Sequence, residues 1–303
     1  MTLHSTQRGS NSVLVGIGLM LLAVVVFSSN NAFGKWVITH IPVGEFLFLR
    51  GLMALVLLAP FYWRSGLAPI WTAPRKGLQL VRVVLSSVEI AMFYWTLSYL
   101  PLADTMTFWL ATPIYVTALS ALFLHEKVGW RRWTAVAIGF VGVVLAMRPS
   151  GASFTWPALI GVTGGMLYAF VLLATRSLRN TSDIVLVSGS LAGSMLFGLV
   201  MAPFATFVRP SLESLGLIVI IAILFILGAL FSNRSLRLAP ASIVVPFQYT
   251  QIIWGVLLGY FFFAEVPEPL TLLGAAIITG AGIYIFMREQ AVAKREPLPI
   301  EPQ

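Results

Sequence analysis

The chain has 303 residues, 58% of them hydrophobic and only 10% charged, with a formal net charge of +8 and no cysteine. Ordinary soluble domains are about a quarter charged, so a soluble fold is excluded, and the missing cysteines exclude disulfides and thiolate metal sites. Most of the lysines and arginines sit between apolar runs or at their ends, which reads as membrane topology and not as a nucleic-acid surface.

Apolar runs of about 20 residues suit membrane helices. They are expected at roughly 13–36, 42–63, 77–99, 102–124, 130–147, 156–175, 183–203, 214–233, 241–263 and 269–287. Only Arg8 precedes the first run and no small-residue cleavage site follows it, so it reads as a retained helix and not a signal peptide. With the N-terminus inside, the inner segments hold 14 of the 19 basic residues and the outer segments hold Lys35, Arg148 and Arg209. Basic residues mark cytoplasmic loops, so both termini are expected in the cytoplasm, with the chain in the cell inner membrane.

The first run closes on Ser28, Ser29, Asn30 and Asn31, followed by Gly34 and Lys35. Four adjacent polar side chains cannot all face lipid. They either join helices through hydrogen bonds, worth about 0.6 kcal/mol each, or line a cavity. The second run holds Glu45 and Arg50, about 140° apart round a helix; the third holds Arg82 and Glu89, which share a face. Arg50 lies about 12 Å from one end of its run and Glu89 about 18 Å from the opposite end of the next, at 1.5 Å per residue. An Arg50–Glu89 pair near mid-membrane is therefore geometrically open. The alternatives are that Glu89 takes up a proton or that Arg50 holds a substrate carboxylate.

The segment Tyr99–Lys127 recurs without a gap 139 positions later, over Leu238–Glu265, so that Pro101 falls on Pro240 and Glu126 on Glu265. A long hydrophobic repeat points to a carrier built from two related halves. Each half has five runs, an odd number, so the second half enters the membrane in the opposite sense. The expected fold is an all-α membrane protein of ten transmembrane helices, arranged as two inverted five-helix repeats over 13–148 and 156–288. Residues 289–303, rich in Pro, Glu and Lys, read as a mobile cytoplasmic tail.

Within the repeat, Thr105, Trp109 and Thr112 form one helical stripe, and Gln248 and Gln251 form its counterpart. Pro113 and Pro246 free backbone carbonyls that must be satisfied inside the protein. Tyr94, Asn233 and Tyr168 add aromatic and amide groups at similar depth, with Tyr94 and Asn233 again 139 apart. Together with Asn30 and Asn31, these residues are expected to line a central substrate cavity, with Arg50 and Glu89 as its buried charges. Gly161/Gly165, Gly189/Gly193, Ala135/Gly139/Gly142 and Ala276/Gly280 read as close-packing positions. Glu126 and Glu265 read as helix-end stabilisers, and Trp63, Trp71, Trp130, Trp133 and Trp156 as interface anchors.

The segments SSNNAFGKW, PVGEFLFLRGLMAL, YLPLADTMTFWLATPIYVTALSALFLHEKVGWRRW and GFVGVVLAMRP, with the second-half echo LAPASIVVPFQYTQIIWGVLLGYFFFAE, resemble the EamA-type carriers of the drug/metabolite transporter superfamily. The resemblance covers nearly all of 13–288. It implies a secondary carrier with a cavity between its halves, working by alternating access, and similar to bacterial amino acid exporters and carriers of S-adenosylmethionine. The expected cargo is a small amphipathic metabolite, with export of amino acids, aromatic ones included, the leading assignment. The alternatives are S-adenosylmethionine, other nucleoside-like metabolites or drugs, or a membrane scaffold that transports nothing.

No phosphate-binding glycine loop, zinc motif or Ser/His arrangement occurs, and His4, His40 and His125 fall outside the expected spans. An enzyme is therefore not expected, nor a cofactor, a metal or catalytic residues. The expected partners are a small-molecule substrate and the lipid bilayer, without nucleic acid, in a monomer or homodimer; proton coupling through Glu89, or secondarily Asp104, is left open.

Overall fold

The computed structural model describes residues 3–66, 70, 72–123, 129–147, 155–178, 181–239 and 244–293. Glu126, Pro240, Trp71 and residues 294–303 of the expected tail lie outside them. The described residues form no strand. Their helices are α1 (Leu3–Ile38), α2 (Val43–Ser65), α3 (Lys76–Tyr99), α4 (Leu102–Leu110), α5 (Thr112–Phe123), α6 (Trp130–Ala146), α7 (Trp156–Ser177), α8 (Asp183–Met201), α9 (Leu212–Leu238), α10 (Gln251–Phe263) and α11 (Pro269–Ala293). A short 3₁₀ turn, Ala202–Phe204, follows α8, and another, Val245–Thr250, leads into α10. Residues 289–293, expected in the tail, are thus helical.

Seven of these helices are long and apolar enough to cross a membrane: α1, α2, α3, α7, α8, α9 and α11. The expected fourth, fifth and ninth spans are not among them. The fifth, α6, has 17 residues. The fourth is broken at Ala111, and the ninth begins as the 3₁₀ turn that carries Pro246. The break at Ala111 has a local cause. Pro113 has no N–H to give to the Trp109 carbonyl four residues back. The Thr112 hydroxyl donates to that carbonyl instead. The freed group is satisfied within the protein, as hydrocarbon surroundings demand.

The helices pack in pairs: α1 along α9, α2 along α8, α6 along α11, and α3 against α7 and α8. Small residues set how close they come. A Cβ at Gly198 would lie 2.5 Å from the Gly44 oxygen and 2.5 Å from the Phe48 nitrogen, so α2 and α8 meet backbone to backbone. At the α6–α11 crossing, a Cβ at Gly274 would lie 2.6 Å from the Gly142 oxygen. Gly165 likewise meets the Phe108 oxygen at 2.7 Å, and Gly193 meets Ser87 and Val83. Gly280 does not: a Cβ there would find nothing within 4 Å, and Gly274 occupies the crossing in its place.

Among the described residues, two large apolar clusters and two small ones fill the interior. One large cluster gathers around Phe108, Ile114, Tyr115, Ala169 and Ile278; the other gathers around Phe46, Tyr94, Leu97, Leu102 and Ile218. Many large apolar side chains face outward, among them Leu80, Val84, Leu196, Val200 and Phe261, as in a protein solvated by lipid. Trp63, Trp130, Trp133 and Trp156 are also exposed, near helix ends.

Candidate functional site

Two buried polar clusters tie the bundle together along its length, one at an end and one inside. The end cluster joins α1, α4 and the turn after α10. Ala264 takes the left-handed conformation (φ 52°), ends α10 and turns the chain so that the Glu265 N–H reaches the Gly259 oxygen at 3.0 Å. The Glu265 carboxylate then pairs with Lys35 and accepts the Leu102 N–H at 2.9 Å, at the first turn of α4. A carboxylate there satisfies an orphan donor and complements the positive end of the helix. Lys35 also donates to the Leu100 oxygen at 2.8 Å. Glu265 is therefore a helix-end stabiliser, and the end it stabilises belongs to a different helix.

A cavity of about 730 Å³ lies inside the bundle. Every helix except α6 and α11 contributes to its wall, as does the 3₁₀ turn before α10. Its wall stops short of the Lys35–Glu265 end. On α1 the last lining residue is Asn31, and on α9 the first is Phe225, 13 residues (about 20 Å) into the helix. Towards the other end the wall includes Asn233, close to the end of α9, and Val245, the first residue of the turn. The cavity thus runs from mid-bundle towards one end, and the ion-paired layer caps the opposite end.

Most of the residues singled out in the sequence meet at this wall: Asn30, Asn31, Trp109, Thr112, Tyr168, Asn233, Gln248, Gln251, Arg50 and Glu89. Two do not. Tyr94 is fully buried behind the wall, against Phe46 and Phe93 and so close to α1 that a Cβ at Gly34 would lie 2.6 Å from its ring. Thr105 is fully buried and also off the wall. Thr105 and Trp109 lie in the same helix, α4, and of the three residues of the expected stripe only Trp109 and, across the break at Ala111, Thr112 reach the wall.

The polar groups on the wall are held to different degrees. Asn30 donates to the Ile221 oxygen at 2.7 Å, joining α1 to α9. Asn233 donates to Asp183 at 3.3 Å. Gln248 has only the Met20 sulfur, at 3.8 Å. Glu89 accepts the indole N–H of Trp109 at 2.6 Å, and the Trp109 ring stands edge-on to Phe93 with centroids 4.9 Å apart. The expected Arg50–Glu89 pair does not form; the buried ion pair that ties distant helices is Lys35–Glu265. Arg50 instead lies over the rings of Phe225 and Tyr94, at 5.0 and 5.6 Å, while its charge still acts on Glu89.

Several wall residues are not assigned to the cavity by the sequence reading, Arg82 among them, although the sequence shows it as a charge sharing a helix face with Glu89. Arg82 donates to Thr175 (2.7 Å), to the Leu186 oxygen (3.0 Å) and to Ser190 (3.1 Å), which fastens α3 to α7 and α8. A charge inside an apolar run was the available signal. Phe27, Phe93 and Phe225 also line the cavity. Nothing in an apolar run separates a cavity phenylalanine from one that faces lipid.

A multi-pass helical bundle with an interior cavity, mostly apolar but carrying charged, amide and hydroxyl side chains on its wall, suits the passage of a solute through a membrane. The chain belongs to the EamA-like transporter family, whose profile matches it twice, over residues 14–148 and 155–288. It is therefore a transporter and not an enzyme. It is 25% identical to an S-adenosylmethionine uptake transporter of Rickettsia felis, over 93% of this chain and 96% of that one. It is 29% identical to a riboflavin transporter of Rhizobium johnstonii (94% of each chain) and 27% identical to a pseudopaline exporter of Pseudomonas aeruginosa (89% and 95%). A solved structure shares the fold at 15% identity, with a TM-score of 0.55 over 95% of this chain and 99% of that one.

Proposed function

We propose that this chain is a secondary transporter that carries small amphipathic metabolites across the inner membrane by alternating access, with amino acid export, aromatic amino acids included, as its leading activity. The observation that carries this is the cavity, walled by helices from both halves, whose lining stops short of the Lys35–Glu265 layer. The ten-helix, two-repeat architecture (13–148 and 156–288) belongs to the same proposal. Its support is the double family match and the pairing of helices. Exchanging the halves carries the α1–α9 contact onto α7–α3, and maps the α2–α8 and α6–α11 contacts onto themselves. With both termini in the cytoplasm, the sealed end faces out and the cavity faces in.

The wall suits an amphipathic solute. Trp109, Tyr168 and the phenylalanines offer flat apolar surfaces, and Asn31, Gln248 and Gln251 offer amides. A second reading, carriage of nucleoside-like metabolites, is favoured by the names of the Rickettsia and Rhizobium relatives.

The test is flux of labelled amino acids, nucleosides and flavins into liposomes that hold the purified protein. Trp109→Ala, Tyr168→Ala and Gln248→Ala should each abolish flux while the protein stays folded. If all three carry solute normally, the cavity is not the transport site. Coupling through Glu89 predicts that an imposed pH gradient drives flux and that Glu89→Gln removes the response. Flux indifferent to both would end that idea.

A further inference from the structure

The three charged side chains on the cavity wall are not equivalent. Arg82 is satisfied by three protein acceptors on α7 and α8. Glu89 is engaged by the Trp109 indole. Arg50 is neither. It is 4% exposed, its Nε–H is buried without an acceptor, and among the described residues it makes no ion pair. Its contacts are the faces of Phe225 and Tyr94, which hold a guanidinium by cation–π attraction and leave its donors unused. A guanidinium kept in a membrane interior without an anion is costly, and such a residue faces a pathway or a partner. The wall carries two positive charges, Arg50 and Arg82, to the one negative charge of Glu89, and of the two cations Arg50 is the one with a buried donor left without an acceptor.

We infer that Arg50 is the specificity-determining residue of the cavity and that the cargo is a ring-bearing carboxylate, whose carboxylate group takes the two-pronged guanidinium pairing while its ring lies among Trp109, Phe93 and Phe27. A carboxylate matches the planar fork of Arg bidentately, which a point charge cannot do. This rests on the transporter reading and sharpens it: the cavity selects solutes that bring a carboxylate to Arg50, as an amino acid does, over analogues that lack one.

The test compares ligands that differ only at the charged group, on the purified full chain. N-acetylphenylalanine is the anion, N-acetylphenylalaninamide the neutral analogue and phenylalaninamide the cation, with phenyl phosphate to tell phosphate from carboxylate. Each is titrated by its effect on melting temperature and by competition with labelled-solute flux. The anion should act at a concentration at least tenfold lower than the neutral amide, with phenyl phosphate weaker than the carboxylate. Arg50→Gln should erase the acid/amide preference, and Arg50→Lys, which keeps the charge but not the fork, should reduce it several-fold. The wild-type comparison needs no variant, so it stands even if Arg50→Gln does not fold. Equal action of acid and amide, preference for the cation, or a preference that survives Arg50→Gln would each overturn the proposal while leaving transport intact. Preference for phenyl phosphate would overturn the carboxylate assignment. A wild-type chain that carries no solute at all would overturn the transport reading, and this inference with it.

Discussion

Glu265→Gln should loosen the sealed end of the cavity. The substitution keeps size and shape but removes the charge that holds Lys35, whose side chain is 9% exposed against 21% for Glu265. Removing one partner of a deeply buried pair costs about 3–5 kcal/mol; removing one from an exposed pair costs about 0–1 kcal/mol. The Lys35–Glu265 pair lies between these limits, so about 2 kcal/mol is a reasonable expectation, or roughly a 30-fold shift in a two-state equilibrium. The chain has no cysteine, which makes the assay clean. Met106 is 1% exposed and lines the cavity one turn inside α4. A single cysteine at that position should react slowly with an impermeant thiol reagent added from the Lys35 end. In the Glu265→Gln background it should react at least tenfold faster. Lys35→Met combined with Glu265→Gln should lie closer to wild type in stability than Glu265→Gln alone, because no unpaired ammonium remains. An unchanged labelling rate would refute the reasoning, even if the melting temperature fell, since the pair would then hold the fold without sealing the cavity.

Gly274→Ala should destabilise by about 1–3 kcal/mol through overpacking of the α6–α11 crossing, whereas Gly280→Ala, with open space around it, should be neutral or stabilising. Melting temperatures in one detergent decide this, and equal losses at both positions would contradict the crossing. Trp109→Phe leaves the buried Glu89 carboxylate without its donor and should cost about 1–3 kcal/mol. Adding Glu89→Gln should recover part of that loss; no recovery would mean that ring packing, and not the hydrogen bond, is what was lost. Ala264→Gly relieves a left-handed residue at the end of α10 and should raise stability by about 0.5 kcal/mol, read as a small rise in melting temperature.

The sequence by itself determined that this is a multi-pass helical membrane protein, and its 139-residue offset is the signal from which two related halves are proposed. Both follow from quantities that add along a chain: hydropathy over about 20 residues and recurrence at a fixed spacing. It also placed most of the cavity residues, because a polar side chain inside an apolar run is costly wherever it faces lipid, and Asn31, Trp109, Gln248 and Gln251 stand out on that ground alone. Tertiary structure decided what no spacing encodes. Tyr94 and Thr105 are both fully buried but off the cavity wall, Tyr94 in the pocket beside Gly34. Arg50 and Glu89 lie at matching depths, yet each takes a different neighbour, an aromatic pair for one and an indole N–H for the other. Glu265 was legible as a helix-end residue, but not as the group that pairs with Lys35, 230 positions away in the chain, and closes one end of the cavity. Depth is a property of position in the chain; partnership depends on which helices meet, and the close contacts at Gly142, Gly198 and Gly274 fix that only in the assembled bundle.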